Sequence, residues 1–172
     1  MLRRALCNDR DTAFQGKRKL TIFGLPTVFG FGRGCSDREG RTDMDYVKLA
    51  VNGTLMRGLP LEKNLIDAGA VFLREAATVP CYRLWSIGDD HPAMLRVPPD
   101  DPHAVSVAVE VWKIPAVGLA SVLMKEPEGL SVGKVTLSDG EVVLGVIGEP
   151  ESVRGEKEIS SYGGWRSYIA SL

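Results

Sequence analysis

A chain of 172 residues with 44% hydrophobic and 25% charged residues has the composition of one soluble globular domain of ordinary size. Its formal net charge of −1 excludes the global basic field that gathers nucleic acid. No apolar run approaches the roughly 20 residues of a membrane-crossing helix. The three cysteines, Cys7, Cys35 and Cys81, form no C-x-x-C pair, which argues against a disulfide framework or a zinc site and for a reduced, cytoplasmic setting.

Charge divides the chain. Residues 1–43 hold nine Lys/Arg and five Asp/Glu, so the remaining residues carry the negative excess. Asp9, Asp11 and Asp37 argue against a mitochondrial-type transit peptide, and the opening MLRRALCNDRDTAF lacks the apolar stretch of a secretory signal. Residues 1–43 are therefore expected to be a poorly ordered extension, with Met44 as an alternative start, and residues 44–172 to be the folded domain.

Within that domain, residues 46–51 (YVKLAV) predict a short strand, followed by a loop punctuated by Gly53, Gly58 and Pro60. LEKNLIDAG has helical spacing and a glycine stop at Gly69. AVFLRE and the aromatic CYRLWSI read as strands, GDDHPA as a turn, MLRV as a short strand and PPDDPH as a loop. In VSVAVEVWKI the valines 105, 107, 109 and 111 share one face; Ser106, Ala108, Glu110 and Trp112 share the other. Pro115 opens a helix whose expected inner face is Val117, Leu119, Ala120, Leu123 and Met124. SVGKVTLSDGEVVLGVI predicts a hairpin turning at Asp139-Gly140. The terminal ISSYGGWRSYIASL predicts a turn at Gly163-Gly164, then a short helix burying Trp165, Tyr168 and Ile169, with Arg166 aimed at solvent or at a carboxylate such as Glu110. The sum is mixed α+β, with strands that could curl into a barrel.

The pieces NGTLMRGLPL, VPCYRLWSI, AMLRV, VEVWKIP, PEGLSVGKVTLSDG and YGGWRSY resemble, in order and spacing, the C-terminal domain of allophanate hydrolases. The opening NGTL also resembles the Y-G-S/T-L loop of the γ-glutamylcyclotransferase-like superfamily. The resemblance implies a γ-glutamylcyclotransferase-like small mixed β-barrel with flanking helices. It also implies processing of a small carboxylated urea derivative, N-carboxycarbamate, with loss of carbon dioxide and no cofactor. The L-D-x-x-E motif that carries the glutamate of true γ-glutamylcyclotransferases is replaced: LMKEP puts Met124 and Pro127 at its acidic positions, with Glu126 and Glu128 on either side of Pro127.

The candidate site residues follow from type and place. Asn52, Gly53, Thr54 and Leu55 form either an ordinary turn or a nest of backbone N–H groups for a carboxylate. Arg83 could grip the same anion, or face solvent. Glu110, amid apolar neighbours, is either on an outward face or buried; if buried, its raised pKa would suit a general acid or base. Tyr82 and Tyr162 offer hydroxyls, with Arg166 nearby, so Glu110 and Tyr82 are the expected catalytic pair. His91 and His103 lie in acidic turns and read as solvent-exposed, with no metal site expected, and Cys81 reads as a small buried hydrophobe. Expected partners are a small carboxylated substrate and, as open alternatives, a separate amidase subunit or a second copy of the chain, with neither nucleic acid nor membrane. Two rival readings stay open: a γ-glutamylcyclotransferase-like enzyme releasing 5-oxoproline, and a non-catalytic partner of an amidase.

Overall fold

The computed structural model describes residues 45–172; the expected extension over residues 1–43 lies outside the described residues. The described chain forms β1 (Tyr46–Val51), α1 (Glu62–Asp67), β2 (Val71–Ala77), β3 (Tyr82–Ile87), β4 (His91–Arg96), β5 (Ala108–Pro115), α2 (Ala116–Leu123), β6 (Leu130–Thr136), β7 (Val142–Gly148), β8 (Lys157–Glu158) and α3 (Trp165–Ile169). Among the described residues no helix is long and apolar enough to cross a membrane.

The strands make two sheets. One has five strands in the order β2-β5-β1-β7-β6, the other three in the order β4-β3-β8. β1 lies between β5, which runs antiparallel to it, and β7, which runs parallel. This central place explains why β1 and β5 bury residues on both faces. Val109, Val111 and Ala50 pack with Tyr82, Leu84 and Met94 of the smaller sheet and with Trp165 and Tyr168 of α3. Leu49, Val51, Trp112 and Ile114 pack on the other face with Leu65 of α1 and Val122 of α2. Each strand thus feeds two cores through its twofold alternation.

The expected barrel is not closed. The edges β2 and β6 come together at one end only, through the Thr78–Leu137 bridge and the bonds Val79 N–H to Thr136 C=O (3.0 Å) and Ser138 N–H to Ala77 C=O (2.8 Å). A bulge between Phe72 and Arg74 breaks the regular pairing of β2, and such irregularity bends a strand. The described residues form a curled five-stranded sheet covered by α1 and α2 on one face and by the three-stranded sheet with α3 on the other.

The inner face of α2 also differs from expectation. Gly118 and Val122 are buried, whereas Val117 and Met124 are 82% and 86% exposed. Contact with α1 explains the rotation: a Cβ at Gly118 would lie 2.3 Å from the Ala68 carbonyl oxygen. The helices meet where the side chain is absent, not where the apolar residues are densest. His91, Pro92 and Ala93, read as a turn, instead open β4, with His91 paired opposite Ile87.

Leu65→Ala should lower unfolding stability by about 2–5 kcal/mol, because it empties a fully buried position. Val117→Ala should change it by less than about 0.5 kcal/mol. Urea denaturation of the two variants checks this, and a larger loss in Val117→Ala would restore the helix face expected from the sequence.

Candidate functional site

β1 delivers the chain to Asn52, which is buried, and residues 52–58 then turn back through hydrogen bonds from Met56 N–H to Gly53 C=O (2.9 Å) and from Leu61 N–H to Thr54 C=O (3.0 Å). Gly53 lies against β4: a Cβ there would sit 2.7 Å from both Cδ and Cγ of Pro92. Only glycine allows this approach, which brings the loop beside His91. From the other side, the turn that ends α2 continues through Glu126 N–H to Leu123 C=O (3.2 Å) and stops at Pro127. Glu126 thereby comes to the same place.

These elements form a narrow recess of about 20 Å³ lined by Asn52, Gly53, Thr54, Leu55, His91, Pro92, Glu126 and the apolar Val51, Leu130 and Val146. A second recess, of about 170 Å³, shares Thr54, His91 and Glu126 and extends to Pro60, Leu61, Asp90 and Pro127. Among the described residues no lysine or arginine lines either one. The N–H groups of Gly53, Thr54 and Leu55 are engaged by no other group among the described residues.

Two buried side-chain atoms among the described residues have no hydrogen-bond partner: Asn52 Nδ2 and Glu126 Oε1. Both residues line the narrow recess after β1. An unmet donor and an unmet acceptor in one cavity are costly to leave unsatisfied, and a ligand that pairs them recovers that cost. Burial pushes the Glu126 carboxyl above the usual carboxylate range, and the nearby His91 opposes this only in part. His91 Nδ1 lies 3.3 Å from Asp90 Oδ2. The arrangement is a small acid-bearing recess with free amide donors, able to hold an anion and to move a proton.

Residues 47–170 match the family described as the allophanate hydrolase C-terminal domain. The chain belongs to this family. It is 30% identical over 132 residues to the urea amidolyase of Saccharomyces cerevisiae, covering 73% of this chain but 7% of that one. A crystal structure of a uropathogenic E. coli-specific protein is 47% identical with a TM-score of 0.70, covering 75% of this chain and 99% of that one. Allophanate hydrolase of Kluyveromyces lactis is 31% identical with a TM-score of 0.67, covering 73% of this chain and 21% of that one. The chain thus spans a small fraction of the length of its multidomain relatives.

In this allophanate hydrolase C-terminal domain, the sequence-predicted residues separate into two groups. Asn52, Gly53, Thr54 and Leu55 come together along the recess. The others do not line it. Tyr82 is fully buried in the core, where its hydroxyl accepts the Thr136 N–H at 3.3 Å, so it cannot meet a substrate. Arg83 is taken by Glu158, at Nε–Oε1 2.9 Å, and faces Asp101. Tyr162 is exposed and meets Tyr168 edge-on.

Glu110 requires the largest correction. It is buried, 1% exposed, but fully partnered. Its Oε2 accepts the Arg57 backbone N–H at 2.9 Å and Trp112 Nε1–H at 3.3 Å; its Oε1 accepts Arg166 Nη2 at 2.9 Å and Arg57 Nε at 3.3 Å. Burial alone would raise its pKa, but the Arg57 amide and the Arg166 and Arg57 charges hold it below the usual carboxylate range. It is an ionised clamp, not the raised acid expected. Arg166 does reach Glu110, as one of its two expected directions, and so is engaged in the same clamp.

His91 and Glu126 are the residues that sequence reasoning set aside. His91 was hidden by the turn-like GDDHPA, and Glu126 by its offset from the L-D-x-x-E register. The available signal was a glutamate immediately before a helix-ending proline, where the chain must turn.

Glu110→Gln should destabilise the fold by about 1–3 kcal/mol at neutral pH, since it takes the charge out of the hydrogen bonds to Arg57 and Arg166, whose guanidinium groups stay partly solvated. Because the folded-state pKa is depressed, the stability from Glu110 is present above the unfolded value of about 4.3 and lost as pH falls through the folded value. Thermal unfolding against pH should therefore show an acid-side slope that the variant lacks in part; identical slopes would contradict the clamp.

Proposed function

We propose that this domain binds N-carboxycarbamate in the recess bounded by residues 52–55, His91 and Glu126 and promotes its decarboxylation. The supporting observation is that Asn52 and Glu126, each carrying a buried polar atom without a partner (Nδ2 and Oε1), line one recess. Membership of the allophanate hydrolase C-terminal domain family and the similarity to urea amidolyase favour a urea-type substrate.

The chemistry balances simply. The carbon–nitrogen bond to one carboxylate breaks, its electron pair goes to nitrogen, and nitrogen takes one proton; the dianion yields carbamate and carbon dioxide. One carboxylate takes the free N–H groups of Gly53–Leu55 and Asn52 Nδ2, which keeps it in place. The leaving carboxylate is set against the apolar Val51, Leu130 and Val146, where no lysine or arginine lines the recess, and poor solvation of that charge favours neutral carbon dioxide. Glu126, whose proton burial and the bound anion both favour, gives it to nitrogen. His91, at the junction of the two recesses, is placed to return a proton to Glu126. An amidase that generates the substrate is the partner this reading calls for.

A second reading is favoured by the position of Glu126 itself. The same carboxylate, as a base, could take a proton from an amine attacking a γ-amide, releasing 5-oxoproline. Incubation with γ-glutamyl amino acids and detection of 5-oxoproline separates the two.

Glu126 also carries a stability signature. Its folded pKa is raised, so its favourable contribution is full below the unfolded value and is lost as pH rises through the folded value. Glu126→Gln should thus leave stability at neutral pH equal or higher while removing activity. The assay is carbon dioxide release during hydrolysis of allophanate by a separate amidase, with and without this protein. The wild type should accelerate release and Glu126→Gln should lower that acceleration by at least about 100-fold; full acceleration by the variant would overturn the role of Glu126.

A further inference from the structure

The C-terminal helix does not line the recess, yet it holds both of its walls. Arg166 and Tyr168 are two residues apart on α3, so they point about 200° apart around its axis. Each reaches a different piece of the site.

Arg166 acts on the loop. Its Nη2 donates to the Arg57 carbonyl and, at 2.9 Å, to Glu110 Oε1. Glu110 Oε2 accepts the Arg57 N–H at 2.9 Å. The peptide groups on both sides of Arg57 are thereby fixed. The next residue back, Met56, is tied to Gly53 C=O at 2.9 Å, so the fixed end is one hydrogen bond from the nest.

Tyr168 acts on the opposite wall. Its hydroxyl donates to Asp89 Oδ1, which also accepts from Ser86 Oγ at 2.7 Å. Asp89 has φ 60° and is the described non-glycine residue in the left-handed region, a conformation that needs local hydrogen bonds to persist. Lys157 Nζ donates to the Tyr168 hydroxyl at 3.0 Å, which turns the hydroxyl proton toward Asp89. Asp89 belongs to the turn from β3 to β4, and two residues later His91 enters the recess.

We propose that Arg166 and Tyr168 are positioning residues: through Arg57 and Glu110 on one side, and Asp89 on the other, α3 sets the distance between the 52–55 nest and His91. The proposal rests on the recess being the functional site, but its geometric content is testable without turnover. A tail that merely completed the core would need Trp165 and the Tyr168 ring, not the Arg166 guanidinium or the Tyr168 hydroxyl.

The test uses the full chain carrying His103→Gln, so that His91 is the single histidine observed by NMR. Tyr168→Phe, which keeps the ring in the core, should shift the His91 imidazole resonances and leave the Gly53, Thr54 and Leu55 amides in place. Arg166→Met should do the converse, and Arg166→Lys, which keeps the charge, should shift those amides less. In the decarboxylation assay Tyr168→Phe should lower kcat and Arg166→Met should raise KM, each roughly tenfold. Variants that lose thermal stability while the His91 and loop signals stay unmoved would overturn the proposal. Shifted signals with unaltered turnover would uphold the brace and remove the recess from the reaction.

Discussion

The Glu110 carboxylate joins three parts of the chain that are remote in sequence. It lies on the central strand pair, opposite Val51, and takes a backbone N–H from the loop after β1 and a guanidinium from the C-terminal helix. A buried charge is tolerated only when its partners are complete, so the loop and the tail must both be in place for β5 to bury this residue. The loop conformation, the docking of α3 and the filling of the face shared with Trp112 are consequently one event. Arg57 extends the clamp outward, with its guanidinium 3.5 Å over the Phe72 ring and 2.7 Å from Glu75.

The two glutamates that matter are held in opposite states by their surroundings. Glu110 is surrounded by donors and stays ionised; Glu126 is buried without a partner for Oε1 and is pushed toward the protonated form. The first state fits a structural anchor and the second a proton donor awaiting a ligand. The same contrast separates the arginines from the recess: Arg57, Arg74, Arg83, Arg154 and Arg166 are committed to carboxylates, and no arginine lines the recess, so a bound anion there would meet amide donors and not a fixed cation. An anion held this way is bound without strong neutralisation, which is the condition for expelling a neutral molecule from it.

Much of the fold is legible in local pattern. β1 has the bounds its apolar run suggests, the Asp139-Gly140 hairpin turns where expected, and Val107, Val109 and Val111 share one core while Trp112 and Ile114 enter the other. The 52–55 loop is legible too, because glycine after a strand marks a close approach. The misreadings share a cause: each depends on a neighbour distant in sequence. Glu110 looks like a stranded acid until Arg57 and Arg166, 53 and 56 residues away, are placed beside it. The face of α2 depends on the Ala68 carbonyl, and the exposure of His91 on a loop forty residues earlier that closes over it. Tyr82 does point inward, but into the core beneath Thr136 and not into the recess.

The account turns on whether the unpartnered Asn52 and Glu126 atoms receive a small carboxylated ligand. Malonate replaces the nitrogen of N-carboxycarbamate with CH₂ and cannot lose carbon dioxide by the same bond cleavage, so it serves as a stable probe. Titration of malonate into protein with ¹³C-labelled glutamate carboxyls, followed by NMR, observes the ligand and the acid together. Saturable movement of the Glu126 carboxyl signal toward its protonated position, with Glu110 unmoved, is the expected result. Binding that leaves Glu126 unmoved, or no binding at all, would contradict the account.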